Sequence, residues 1–228
     1  MKPRFPVFLL ALSLVLPGAF AEKPKGPERW EKDIAAFETR DEKTAPPSGA
    51  LLFVGSSSIR LWDLEASWPE TRAINNGFGG STVADSVYHY RRLIARYTDP
   101  AALLIYAGDN DINNGLTPEE VSEDFAELVA KFRADFPTTP VIYIAIKPSQ
   151  ARWELWPQMK RANDLIAAQC KEGKHLHFAD IAEPMLKGAE GAPDPSWFVA
   201  DGLHLSEFGY REWTRVVNAA LDAAGVKH

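Results

Sequence analysis

Three consecutive serines, Ser56, Ser57 and Ser58, follow the apolar run LLFVG that begins at residue 51. A serine hydroxyl is a weak nucleophile until a neighbouring base takes its proton and donors receive the oxyanion it creates. A base is available far along the chain, where Asp201 and His204 stand three residues apart in DGLHL. An Asp that holds one imidazole nitrogen fixes the tautomer and leaves the other nitrogen as a general base. Alone, such a pair more often caps a helix. Donors are available as well. Asn110 follows a buried run, where its amide can donate to an oxyanion or close an Asx-type turn. The segment NNGFGGST, residues 75–82, sets Gly77, Gly79 and Gly80 before a helix start, so the Gly80 N–H can meet a bound group.

For these residues to converge, the chain must bring distant loops to one edge. Apolar runs at 50–55, 71–77, 101–108, 140–146 and 175–180 read as strands. Between and around them lie amphipathic stretches at 29–43, 81–97, 117–136, 156–173 and 206–225. The third and fourth runs are almost wholly apolar, as expected of strands covered on both faces. Thr117, Pro118 and Glu120 form a helix start, and Gly173 a helix stop. This alternation predicts one α/β domain, a three-layer sandwich with a mostly parallel five-stranded sheet. In such folds sites form at the carboxyl ends of strands, which is where GSSSI, NNGFGGST, GDNDINNG and KPSQARW all fall.

Taken in order, four of these segments resemble the blocks of the SGNH superfamily, the GDSL-type esterases and lipases. FVGSSSI resembles the first block, with Ser57 as counterpart of the nucleophile. NNGFGGST resembles the second, with Gly80 as a backbone oxyanion donor. GDND at 108–111 resembles the third, with the Asn110 side chain as a further donor. DGLH at 201–204 resembles the last, supplying Asp201 and His204. The resemblance implies a flavodoxin-like sheet, a Ser57–His204–Asp201 triad, and an oxyanion hole of the Ser57 and Gly80 N–H groups with Asn110. It implies carboxylic ester hydrolysis without a cofactor or metal. One position departs from the pattern: the usual Asp between Gly and the nucleophile is Ser56. That departure supports the alternative of a silent carbohydrate-binding module. The α/β-hydrolase elbow, G-x-S-x-G, does not fit, because Ile59 stands where its second Gly belongs.

The N-terminus carries Lys2 and Arg4, then an apolar stretch, then AFA at 19–21. This describes a signal peptide over residues 1–21, cleaved after Ala21, and hence a secreted or periplasmic protein. Residues 22–49 read as leader and N-terminal helix, and 50–228 as the hydrolase domain. Cleavage leaves 23 basic against 31 acidic residues, a balance without a footprint for nucleic acid or an anionic membrane. A single cysteine, Cys170, allows no intrachain disulfide. DNDINNGLTPEE nearly spells a calcium loop, but Asn114 replaces the required Gly and a strand precedes it. His175 and His177 share a strand face without a further ligand to complete a metal site. Arg152, Trp153, Trp156 and Trp197 are candidates to line a cleft for a small-molecule or carbohydrate ester.

Overall fold

The computed structural model describes residues 26–188 and 191–228, so the segment read as a signal peptide lies outside the described residues. Five strands pair in parallel: β1 Leu51–Gly55, β2 Ala73–Gly77, β3 Ala102–Tyr106, β4 Val141–Ile144 and β5 Leu176–Ala179. Their order is β2-β1-β3-β4-β5. Parallel neighbours require crossovers, which ten α-helices among the described residues supply or flank. They are α1 Glu31–Lys43, α2 Ser57–Arg60, α3 Leu64–Ser67, α4 Val83–Tyr88, α5 Tyr90–Leu93, α6 Asp109–Asn113, α7 Pro118–Asp135, α8 Trp156–Glu172, α9 Ala182–Met185 and α10 Glu207–Ala223.

Strand side chains alternate between two cores. Leu52, Val54, Leu103, Ile105, Val141 and Tyr143 face one layer, and Leu51, Phe53, Leu104, Tyr106, Ile142 and Ile144 the other. The helix α7 buries Val121, Phe125, Leu128 and Phe132 on the first side at helical spacing. On the second, α10 buries Trp213, Val217 and Leu221. Each such side chain contributes roughly 1.5–3 kcal/mol by leaving water. The chain reverses its winding direction between β1 and β3, and that switch point opens a crevice at the strand ends.

Three local expectations give way to tertiary contacts. The stretch 81–97 is not one helix, because His89 interrupts it between α4 and α5 with its ring nitrogen 2.9 Å from the Pro27 carbonyl oxygen. The polar stretch after β3 is the short helix α6 rather than an open loop. His175 lies in a left-handed turn at φ 57°, ahead of β5, so it does not alternate with His177 along a strand.

Candidate active site

The β1–α2 turn is fixed from both sides. The Ser56 N–H donates to the Tyr106 carbonyl at 3.0 Å, and the Phe78 N–H donates to the Gly55 carbonyl at 2.8 Å. Gly55 sits at φ +143°, and a Cβ there would fall 1.9 Å from the Tyr106 oxygen, so no larger residue fits. Ser57 then opens α2, where the first N–H groups of a helix have no intrahelical partner. Its Oγ lies 3.0 Å from His204 Nε2, and His204 Nδ1 lies 2.6 Å from Asp201 Oδ2. Asp201 Oδ1 accepts from the N–H groups of Leu203 and His204 at 2.8 and 2.9 Å. Partial burial would raise the Asp201 carboxyl, but the His204 ring and those two N–H groups outweigh it and hold it at about 2. The carboxylate is therefore ionised throughout the neutral range. Residues 144 positions apart in sequence thus form one hydrogen-bonded chain that can move a proton off a serine.

Gly80, in the loop after β2, is exposed and at φ +81°. Asn110, on α6, is 9 % exposed, and its Nδ2 donates to the Ser81 carbonyl at 3.0 Å. The Val83 N–H donates to Asp111 Oδ1 at 2.9 Å, and Thr82 with Asp85 forms a capping box at the start of α4. Two bonds therefore register the glycine loop against α6.

Sequence reasoning missed a buried charge cluster beneath these loops. Lys147, 2 % exposed, donates from Nζ to Tyr106 Oη at 2.9 Å, Asp109 Oδ2 at 3.1 Å and Ser58 Oγ at 3.3 Å. Arg152 Nη1 lies 3.3 Å from the same Asp109 oxygen. Burial alone would raise the Asp109 carboxyl, yet the two cations outweigh it and keep it below its usual value. The signal was present in PVIYIAIK, a lysine at the end of an apolar run, which had to bring a partner if buried.

Among the described residues, no cation pairs with Asp111. Burial, opposed by the Val83 N–H, pushes its carboxyl from 3.8 up to about 7. Folded Asp111 holds its proton more tightly than the unfolded chain does. Its contribution is therefore fully present below about pH 4 and is lost as pH rises towards 7. At about 1.4 kcal/mol per unit, the loss approaches 4 kcal/mol as an upper bound. Asp111→Asn keeps an oxygen for Val83 and cannot ionise. It is expected to raise Tm at pH 8 by about 5 °C or more relative to the parent, with the advantage gone at pH 4. Thermal unfolding at the two pH values checks this, and an equal difference at both would refute it.

The cleft candidates separate on inspection. Trp153 is exposed and stacks against half-buried Trp156, with ring centroids 6.4 Å apart and an interplanar angle of 9°. Trp197 instead points into the core, 6 % exposed and edge-on to Phe208 at 5.1 Å, so it walls no cleft. The Arg152 guanidinium, expected to clasp substrate, is engaged by Asn110 and Asp109. Exposed Leu61 and Val199 flank a groove of about 630 Å³ whose walls include Leu205 and Tyr210, and none of Ser57, His204 and Asp201 lines it.

Solved structures share this architecture. A GDSL-like lipase from Bacteroides thetaiotaomicron superposes with a TM-score of 0.69 at 21 % identity, over 87 % of this chain and 98 % of its own. A chain from Streptococcus pneumonia named for platelet activating factor gives 0.75 at 17 % identity, over 85 % and 93 %. A variant of an acetyl-xylooligosaccharide esterase from Geobacillus Stearmophilus gives 0.61 at 19 % identity, over 80 % and 97 %. Comparison with curated proteins gave no match. The family model for GDSL-like lipase/acylhydrolases matches residues 60–212, beginning just after Ser57 and taking in the glycine, Asn110 and His204 segments. With the fold and most of the sequence in agreement, the chain belongs to the GDSL-like lipase/acylhydrolase family.

Proposed function

We propose that this protein is an exported serine esterase that removes short acyl groups, acetyl foremost, from carbohydrate. One observation carries the reaction class: His204 Nε2 is within 3.0 Å of Ser57 Oγ while Nδ1 is held by Asp201. In this reading Ser57 Oγ attacks the ester carbonyl carbon as His204 Nε2 takes its proton. The N–H groups of Ser57 and Gly80 and an N–H of Asn110 receive the oxyanion. Collapse breaks the bond to the alcohol, which leaves with the proton from His204. Water then attacks the acyl-Ser57, gives its proton to His204, and the carboxylic acid departs as Ser57 recovers its hydrogen. Asp201 stabilises the imidazolium formed in each half. No step calls on a metal or organic cofactor.

Sugar as the alcohol portion rests on two supports. The Trp153–Trp156 pair offers a flat aromatic surface of the kind that stacks on a sugar ring. A structural neighbour acts on acetylated xylooligosaccharides. Export rests on the charged, apolar and small-residue pattern of residues 1–21. The Ser57–His204 contact also weighs against a silent binding module, since the Ser56 hydroxyl, where the sequence departs from the family pattern, makes no hydrogen bond to Ser57, His204 or Asp201.

The test is hydrolysis of a chromogenic acetate by the purified protein, with an alkyl fluorophosphonate used to label the reactive serine. Turnover, with the phosphonate mapped to Ser57, is expected. Label on another residue, or neither turnover nor label, would end the serine-esterase reading. Acetylated xylose oligomers should be cleaved at higher kcat/KM than phenyl or ethyl acetate. Equal rates would remove carbohydrate from the proposal.

A further inference from the structure

The segment 147–152 belongs to none of the four family blocks, yet it touches two of them. The Ala151 N–H donates to the Gly202 carbonyl at 3.1 Å, which ties the segment to the turn that carries Asp201 and His204. One residue on, Arg152 Nη1 and Nη2 both donate to Asn110 Oδ1, each at 3.1 Å. The other end of that amide donates to the Ser81 carbonyl at 3.0 Å. A carboxamide has one oxygen and two N–H bonds. Here the oxygen is held by two guanidinium donors and one N–H is spent on Ser81, so a single N–H is left.

We propose that Arg152 is a positioning residue, one that locks the Asn110 amide so that its remaining N–H meets the oxyanion. The inference rests on Asn110 being an oxyanion donor and goes beyond it. Flipping the amide would set its NH₂ against a guanidinium, which has donors only, and its oxygen against the Ser81 carbonyl. Both bonds would become repulsive contacts, so the flip is blocked twice. A lysine is not equivalent, since a point charge on a flexible stem lacks the planar fork that holds one oxygen with two N–H groups. Arg152 is itself held, because Asp109 takes its Nη1 at 3.3 Å and Lys147 at 3.1 Å. The three side chains leave one net positive charge beside the Asn110 carbonyl. That charge polarises the amide and strengthens its N–H as a donor.

The experiment is a double-mutant cycle of Asn110→Ala and Arg152→Ala on a chromogenic acetate, with kcat and KM measured separately and folding checked by thermal unfolding. Removing an oxyanion donor costs about 10²–10³ in kcat, which bounds the effect of Arg152. Arg152→Ala is expected to lower kcat about tenfold or more with KM nearly unchanged, and to add nothing once Asn110 is already Ala. Arg152→Lys keeps a cation opposite Asp109 and is expected to fold as the parent does while still losing kcat. It carries the test if the Ala variant does not fold. Four results would overturn the role: an unchanged kcat in Arg152→Ala, a rise confined to KM, full losses that add in the double variant, or parental kcat in Arg152→Lys. A fully active Asn110→Ala is a different failure, because it removes the oxyanion reading itself.

Discussion

Ser57→Ala is expected to lower kcat/KM on a chromogenic acetate by roughly 10⁴ or more, with the fold intact. Its two neighbours should behave otherwise, because the turn and the first residues of α2 send the three hydroxyls into different surroundings. Only the Ser57 Oγ lies against His204, at 3.0 Å. Ser56 Oγ is buried with no hydrogen-bond partner, so Ser56→Ala deletes an unsatisfied group and should be neutral or slightly stabilising. Ser58 Oγ receives the weakest of the three Lys147 contacts, at 3.3 Å against 2.9 Å for Tyr106 and 3.1 Å for Asp109. Ser58→Ala leaves the other two in place and should keep activity within about tenfold, since the lost contact is the longest of the three and falls at the low end, about 1.5 kcal/mol, for a bond to a charged group. Steady-state kinetics on the three variants, beside thermal unfolding, separates them. Loss centred on Ser58 would mean that the buried lysine, and not His204, activates the nucleophile.

The sheet was legible because its central strands β1, β3 and β4 are buried throughout and had to be apolar on both faces, and runs such as ALLIY and VIYI read as little else. The four loops were legible because each combines a glycine, an amide, a hydroxyl or an imidazole with the end of such a strand. What could not be read were pairings across the sheet. Arg152 looked like a free cation beside two tryptophans, and nothing in its own neighbourhood of sequence marks Asn110 and Asp109, more than forty residues earlier, as its partners. Trp197 and Trp153 both sit in loops rich in small and polar residues. One is core and the other exposed: Trp197 packs edge-on against Phe208 of α10, while the ring of Trp153 stacks on Trp156, three residues along its own segment. The helical period at 81–97 was broken by a contact from outside it, the Pro27 carbonyl on His89. Period and composition report on which face is buried. They do not report which buried polar group has been given a partner.

Asp201→Asn is expected to reduce kcat by about 10⁴ while leaving Tm close to that of the parent. The size of the effect follows from which oxygen does what. Oδ1 accepts two backbone N–H bonds, from Leu203 at 2.8 Å and His204 at 2.9 Å, and Oδ2 faces His204 Nδ1 at 2.6 Å. In the Asn variant the two backbone donors demand an oxygen at the first position, so the turn keeps its shape and the NH₂ is forced to face the imidazole. His204 Nδ1 must then accept, which moves the ring proton to Nε2. That nitrogen points at Ser57 Oγ, and in this tautomer it has no lone pair with which to take the serine proton. The substitution thus preserves every backbone bond of the loop and reverses the one property on which proton transfer depends. Asp201→Ala makes the contrast. It frees the tautomer but removes the acceptor of both N–H groups, so it should lower Tm as well as kcat. A parental rate in Asp201→Asn would show that something other than Asp201 sets the histidine tautomer. The three-residue spacing of DGLH would then serve only the turn.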